Sequence, residues 1–89
     1  MVEKDLEIVN RLGLHARAAA KLVHTAGRFS SEITVTKDDD EVDAKSILGL
    51  LQLGAAQGTH IKVRCEGGDE MEALESVIDL IGNRFGEDT

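Results

Sequence analysis

The spacing of apolar positions along the chain predicts four strands. Residues 6–9 favour a first strand. Residues 32–37 and 60–66 alternate apolar and polar side chains, and this period of two is typical of half-buried strands. The acidic run at residues 38–40 is expected to form a hairpin turn that leads into a short strand around Val42.

Helical periodicity is found in the three segments that separate or follow these strands. Residues 16–26 carry an apolar stripe that Gly27 is expected to cap, and residues 46–53 predict a short, unusually apolar helix that ends near Gly54 or Gly58. The stripe of the first helix consists of Ala19, Leu22, Val23 and Ala26. In the last helix the expected stripe consists of Met71, Leu74, Ile78, Ile81 and Phe85.

The order β-α-β-β-α-β-α is typical of an α+β fold in which helices cover one face of an antiparallel sheet. In residues 60–66 the alternation of Ile61 and Val63 with Lys62 and Arg64 agrees with a sheet whose other face is exposed to water. The 89 residues contain no linker or repeat. We therefore expect one domain, residues 1–89, with a modest core.

Composition excludes several classes of function. The net charge of −7 argues against a nucleic-acid partner, because phosphate backbones are bound by clustered Lys and Arg. A single cysteine, Cys65, permits no internal disulfide and no cysteine-rich zinc site, and we expect it to be a buried, inert thiol. No apolar run is long enough for membrane insertion, and no signal peptide is evident. These features predict a cytoplasmic protein.

The segment RLGLHARAAAKL, residues 11–22, contains the candidate chemistry. If a helix begins near Ala16, His15 is its N-cap and Arg17 lies in its first turn. The free N–H groups of a helix start bind anions, and a nearby guanidinium adds further hydrogen bonds. Imidazole is also a competent nucleophile near neutral pH. His15 could therefore accept a phosphoryl group.

Two simpler interpretations compete with phosphoryl transfer at His15. A histidine near a helix start commonly has no function beyond its place in the structure. Metal binding is disfavoured because His15 and His24 point to roughly opposite sides of a helix, and His60 begins a distant strand. We expect no metal and no cofactor, and we expect His24 and His60 to be exposed. No neighbouring Asp or Ser suggests a catalytic partner for His15, so transfer is favoured over hydrolysis.

Two longer motifs are recognisable. GLHARAAA, residues 13–20, resembles the phosphorylated-histidine motif of the HPr family, the phosphocarrier proteins of the phosphoenolpyruvate-dependent phosphotransferase system. KSILGLLQLG, residues 45–54, resembles the regulatory-serine segment of the same family, with Ser46 at the start of the second helix. The order of predicted elements also matches the family from end to end.

The resemblance implies an HPr-like open-faced β-sandwich, with a four-stranded antiparallel sheet and three helices on one face. It implies that enzyme I phosphorylates His15 on Nδ1, that Arg17 stabilises the phosphoryl group, and that an EIIA-type protein accepts it. It further implies that Ser46 is a regulatory phosphorylation site, where an HPr kinase/phosphorylase would act. Partner docking is implied for an apolar patch on the second helix, consisting of Ile47, Leu48 and Leu51. The protein would be a monomeric carrier and not an enzyme.

Two residues depart from the family pattern. Ala18 stands where the family usually has proline, and Leu12 replaces a small polar residue three positions before the histidine. Leu12 and the segment LLQLGAAQGTHI are similar to the nitrogen-related branch of the family, so sugar uptake and nitrogen-related regulation both stay open. A different class of function also stays open, in which His15 and Arg17 bind an anionic metabolite without covalent chemistry.

Overall fold

The computed structural model describes residues 1–89, and its elements alternate much as the pattern predicts. The helices follow the predicted segments closely, and each of the last three strands lies where the alternation places it. The elements are β1 (Val2–Glu7), α1 (Ala16–Gly27), β2 (Glu32–Lys37), β3 (Asp40–Asp43), α2 (Ile47–Leu53), β4 (His60–Glu66), α3 (Glu70–Gly82) and a short 3₁₀ turn (Arg84–Gly86).

The four strands form one sheet in the order β1-β4-β2-β3. Every neighbouring pair is antiparallel, with Val2 opposite Cys65 in β1–β4, Val35 opposite Val63 in β2–β4, and Val35 opposite Val42 in β2–β3. The three helices pack on one face of this sheet. The predicted α+β fold, an open-faced sandwich with a four-stranded antiparallel sheet, is confirmed.

The core lies between the sheet and the helices. On β4 the inner side chains Ile61, Val63 and Cys65 are buried, whereas the outward Lys62 and Arg64 are exposed to water. This alternation gives the sheet one apolar face, and burial of each such aliphatic side chain contributes about 1.5–3 kcal/mol to stability. On α1 the buried side chains are Ala18, Ala19, Leu22 and Ala26.

The predicted position of β1 was wrong. The strand spans Val2–Glu7 and ends before residues 8 and 9, because the chain then leaves the sheet edge. Ile8 is fully buried beyond the strand end, and Val9 is 36% exposed. The apolar run at residues 6–9 therefore marks the point where the chain turns into the core and not the centre of a strand.

The predicted apolar stripe of α3 was wrong at both ends. Met71 is 57% exposed, and Phe85 lies beyond the helix in the 3₁₀ turn, where it is fully buried. Leu74 and Ile81 are buried as predicted, and the other buried positions are taken by Ala73 and Val77, smaller side chains that a stripe of large residues overlooks. Gly27 is the last residue of α1 and not its cap, which is Arg28.

None of the helices combines the length and the apolar character that crossing a membrane requires.

Candidate functional site

The loop between β1 and α1 is held against the segment that follows α2. The N–H of Ile8 donates to the carbonyl of Thr59 at 2.9 Å, and the N–H of Gly58 donates back to the carbonyl of Ile8 at 2.8 Å. Further along, the N–H of Leu14 donates to the carbonyl of Ala55 at 2.8 Å. These backbone bonds fix the path of the chain into α1.

Gly13 permits the closest approach in this loop. Its φ is +69°, and a Cβ atom there would lie 2.6 Å from the carbonyl oxygen of Ala55. Only glycine adopts the left-handed conformation readily and also lacks a Cβ atom. The glycine therefore lets the loop pack tightly just before His15.

His15 is the N-cap of α1, as the sequence predicts. Its backbone is extended, and its Nδ1 accepts a hydrogen bond from the backbone N–H of Arg17 at 3.3 Å. The carbonyl of His15 accepts the N–H of Ala19 at 2.8 Å. The N–H of the exposed Ala16 has no backbone acceptor, so it remains available to an anion at the helix start.

Glu87 contacts the other side of the His15 ring. Its Oε2 lies 2.5 Å from Nε2, and the two side chains are 13% and 26% exposed respectively. A carboxylate can only accept a hydrogen bond, so Nε2 is the nitrogen that carries the proton and donates it. Nδ1, which accepts from Arg17, then carries the free lone pair. The two contacts select one tautomer, with the nucleophilic nitrogen at the helix start.

Asn10 holds the second oxygen of Glu87. Its Nδ2 donates to Oε1 of Glu87 at 2.9 Å and to the carbonyl of Gly13 at 2.8 Å. The side chain is fully buried, and its Oδ1 has no hydrogen-bond partner. Two hydrogen bonds lower the pKa of the Glu87 carboxyl below its ordinary value. The bond from Asn10 has the larger effect, and the bond from His15 adds to it. Glu87 is therefore a stable anion beside His15.

The C-terminal strap, residues 83–89, brings Glu87 to this position. Arg84 and Phe85 both have φ near +54°, a left-handed conformation that is rare for side chains of this size. Phe85 is fully buried, and its carbonyl accepts a hydrogen bond from Nζ of Lys21 at 2.6 Å. At the end of the strap, the carbonyl of Thr89 accepts the N–H of Arg11 at 3.1 Å. Core burial thus anchors the strap across the start of α1.

An open cleft lies along the strap, and its lining includes Glu87, the residue that contacts His15. Arg17 and Lys21, one turn apart on α1, contribute its positive charge, and Leu12 contributes an exposed apolar rim. Arg17 makes no ion pair within the protein. Its guanidinium is therefore free to bind an anion next to the ring. The remaining lining consists of Gly86, Glu87, Asp88 and Thr89.

The second motif forms α2, as predicted. Ser46 is its N-cap, and its Oγ accepts the N–H of Gly49 at 3.1 Å. Leu50 and Leu53 are buried, whereas the exposed fractions of Ile47, Leu48 and Leu51 are 41%, 71% and 38%. The exposure of these three side chains, which we call the α2 patch, agrees with the expectation that so short a helix cannot bury all its apolar residues.

Comparison with known proteins decides the family. The family profile described as "PTS HPr component phosphorylation site" matches residues 2–83. The chain belongs to the HPr family. It is 51% identical over 87 residues to the phosphocarrier protein HPr of Neisseria meningitidis, a match that covers 98% of each chain. HPr proteins are phosphocarriers of the phosphotransferase system.

Solved HPr structures show the same fold. The crystal structure of HPr-C-His from Thermoanaerobacter tengcongensis matches with a TM-score of 0.97 and 50% identity, and the match covers 100% of both chains. A crystal structure of an HPr dimer from the same organism matches with a TM-score of 0.79 and 52% identity, over 98% of this chain and 100% of that one. The expected HPr-like fold is thus confirmed by structure as well as by sequence.

Two residues of the candidate site were not found from the sequence. The sequence offered no acidic partner for His15 because Glu87 is 72 positions away, and Asn10 is 77 positions from Glu87. No local pattern signals either contact. The expectation that His15 lacks a carboxylate partner was therefore wrong.

The remaining candidates lie outside the site. His24 and His60 are exposed and Cys65 is buried, as expected. Burial is the largest of the effects that raise the pKa of the Cys65 thiol, with Glu70 and Asp69 adding to it. The acidic, cysteine and histidine side chains form no group of three or more that could hold a metal ion.

Proposed function

We propose that this HPr protein accepts a phosphoryl group from phosphorylated enzyme I on Nδ1 of His15 and passes it to an EIIA-type acceptor. One observation carries the proposal: the ring of His15 presents an unprotonated Nδ1 at the start of α1, with Nε2 held by Glu87. A nucleophile in this arrangement needs no general base. The protein acts as a carrier, since the group leaves by the same nitrogen that received it.

In the proposed acceptance step, the lone pair of Nδ1 attacks the phosphorus, and the bond from phosphorus to the donor atom of enzyme I breaks, with its electron pair leaving on that atom. The incoming phosphoryl oxygens replace Nδ1 as acceptor of the Arg17 N–H. The free N–H of Ala16 offers a further donor. A dianion is favoured here because the helix start carries partial positive charge.

Arg17 stabilises the transferred group in this proposal. Its guanidinium lies in the first turn of α1, lines the cleft beside His15 and has no competing ion pair. A charge-assisted bond from a guanidinium to a phosphoryl oxygen strengthens as charge develops during transfer. Arg17 would therefore lower the barrier for transfer in both directions.

Partner docking is assigned to the α2 patch, Ile47, Leu48 and Leu51. Exposed apolar clusters on small proteins commonly mark interaction surfaces, and this one adjoins the segment to which the His15 loop is bonded. Ser46 begins the same helix, so phosphorylation there by an HPr kinase/phosphorylase would place a dianion beside the patch. Ser46 is then a regulatory site.

Family membership supports enzyme I and an EIIA-type protein as partners of this carrier. The proposal places all three in the cytoplasm and treats the carrier as a monomer while it transfers the group. Dimers of a similar HPr have been crystallised. Light scattering measures the oligomeric state of the phosphorylated protein. A stable dimer would contradict this part of the proposal.

The central test is incubation with enzyme I and phosphoenolpyruvate. We expect one acid-labile phosphate per chain, its absence in His15→Ala, and full labelling in the control variant His24→Ala, because His24 is exposed on the same helix. His15→Ala should keep its fold, since the ring lies outside the core. Labelling of His15→Ala would refute the assignment. Binding of phosphate without covalent labelling of the wild-type protein would instead favour the anion-sensing alternative.

A further inference from the structure

We propose that Asn10 and Glu87 are positioning residues that hold the proton on Nε2 of His15 throughout the transfer cycle, so that Nδ1 enters as a nucleophile and leaves as a neutral imidazole. The inference rests on the proposed phosphoryl transfer at His15 and adds two residues to it. It is carried by the chain of contacts from the buried carboxamide to the carboxylate and from the carboxylate to the ring.

The orientation of the Asn10 carboxamide is determined by its neighbours. Both groups that it faces, the carbonyl of Gly13 and Oε1 of Glu87, can only accept hydrogen bonds. The NH₂ group must therefore point at them, which leaves Oδ1 buried and unpaired. A buried acceptor without a partner lowers stability. The two bonds donated by Nδ2 are the only hydrogen bonds that the Asn10 side chain makes. Asn10 thus fixes which oxygen of Glu87 remains for His15.

The strap that carries Glu87 is held from several sides. Phe85 is buried in the core with a left-handed backbone, and Nζ of Lys21 donates to its carbonyl. The backbone bond from Arg11 to Thr89 fixes the chain beyond Glu87. The carboxylate is therefore placed by tertiary packing and does not swing freely in solvent. Such placement is what a positioning residue requires.

The other charged groups around Glu87 do not compete with His15 for its Oε2. Lys21 approaches from α1 and is already bonded to the carbonyl of Phe85, and Arg17 lies in the same cleft. Asp88 and the terminal residue Thr89 extend from the strap into that cleft and have no contact with the ring. The short contact of Oε2 with Nε2 is thus the one that responds to a change of charge on the ring.

The electron balance shows what the carboxylate contributes. In acceptance, the Nδ1 lone pair forms the new bond to phosphorus, and the ring becomes positively charged with its proton still on Nε2. In onward transfer, the electron pair of the P–N bond returns to Nδ1, and a neutral ring departs. Loss of the Nε2 proton in between would leave an imidazolate, which is a poor leaving group. The negative charge of Glu87 opposes that loss.

Glu87→Gln gives a specific test, because Asn10 dictates how the new amide is turned. The Asn10 NH₂ group can donate only to the oxygen of the glutamine, so the glutamine NH₂ faces Nε2 and donates to it. To accept this bond, the ring must carry its proton on Nδ1, which displaces the bond from the Arg17 N–H. In Glu87→Ala no donor faces Nε2, and the Arg17 N–H still selects the native tautomer.

The experiment measures the ¹⁵N chemical shifts of the His15 ring in the unphosphorylated protein above about pH 8, where imidazole is neutral. Glu75→Gln removes the same charge from an exposed position on α3, away from the site, and serves as the matched control. We expect the Nε2–H tautomer in wild type, Glu87→Ala and Glu75→Gln, and a shift to Nδ1–H in Glu87→Gln alone. The same tautomer in Glu87→Gln as in Glu75→Gln would overturn the proposal.

A second measurement follows transfer from the phosphorylated protein between about pH 6 and pH 9. The transfer rate should fall at alkaline pH, where the Nε2 proton is lost. Loss of the carboxylate in Glu87→Ala should move this fall to lower pH, so that transfer near pH 8 drops about three- to tenfold. Glu75→Gln should keep the wild-type profile. Identical profiles in the two variants would refute the role in onward transfer. The tautomer measurement needs no phosphoryl donor, so its failure is distinct from a failure of His15 to be phosphorylated.

Discussion

The backbone N–H of Leu14 donates to the carbonyl of Ala55 at 2.8 Å, and this bond joins the loop before His15 to the segment after α2. Ala55 follows Gly54, the C-cap of the helix that carries the α2 patch. The His15 loop and the helix that carries the α2 patch are therefore linked by the main chain and not by mobile side chains. A partner that docks on the α2 patch would find His15 at a fixed position.

Gly13→Ala should disrupt this link. The new Cβ meets both a left-handed φ and the Ala55 carbonyl at 2.6 Å, so we expect the free energy of unfolding to fall by about 3 kcal/mol. Gly54→Ala is the control, because its φ is +59° but its Cβ would meet nothing within 4 Å, and about 1–2 kcal/mol is expected. Urea denaturation of both variants measures the difference. Equal losses would show that the close approach contributes nothing.

Arg17→Ala should slow phosphoryl transfer without unfolding the protein. A charge-assisted hydrogen bond contributes about 1.5–3 kcal/mol, so the rate should fall on the order of tenfold or more. Arg28→Ala, at the other end of α1, removes the same charge far from the ring and should transfer at the wild-type rate. Rapid-quench kinetics with phosphorylated enzyme I provide the measurement. If both variants transferred alike, Arg17 would have no part in the mechanism.

Ser46→Asp should weaken recognition by enzyme I while leaving the fold intact. Aspartate caps a helix as serine does, so the bond from the Gly49 N–H is retained and the melting temperature should hold. The added charge next to Ile47 and Leu48 must lose water on docking, which should raise KM about tenfold.

Ser46→Asn is the matched control for this charge, because asparagine caps equally well and is neutral. It should show the wild-type KM at limiting carrier concentration. A normal KM for Ser46→Asp would show that Ser46 acts only as a helix cap. A raised KM in both variants would point to the serine hydroxyl itself.

Asp69→Asn should make stability less sensitive to acid. The Asp69 carboxylate accepts the hydroxyl of Ser31 and the backbone N–H groups of Ser30 and Ser31, the latter two at 2.9 and 3.0 Å. The bond from the Ser31 hydroxyl has the largest effect, and the hydrogen bonds together lower the pKa of Asp69 from 3.8 to about 2. A depressed pKa means that the native state favours the ionised form. This contribution is present above pH 3.8 and is lost as pH falls through about 2.

Urea denaturation at several pH values between about 2 and 5 tests this assignment. Wild type should lose stability across that window, and Asp69→Asn should lose less while starting from a lower value. Glu75→Gln, an exposed change of the same charge on α3, should follow the wild-type slope. An unchanged slope in Asp69→Asn would assign the acid sensitivity to other carboxyl groups.

Much of the fold was predictable because its signals are local. The period of two in β2 and β4 and the cap residues His15 and Ser46 depend only on neighbours along the chain. The exposure of the α2 patch also followed from the short length of the helix. The start of β1 was not predictable in this way, since pairing with β4 extends the strand back to Val2 through the polar residues 3–5.

The helix positions of His15 and Arg17 were thus determined by the sequence alone, because capping and the first turn are short-range properties. The partner of the ring was decided only by the tertiary structure. Burial of Phe85 forces the chain into a left-handed turn that returns the strap to α1, and only then does Glu87 meet Nε2 while Asn10 meets Glu87. Contacts across 72 and 77 positions arise from how the core is filled, and hydrophobic burial is non-directional, so no local pattern records them.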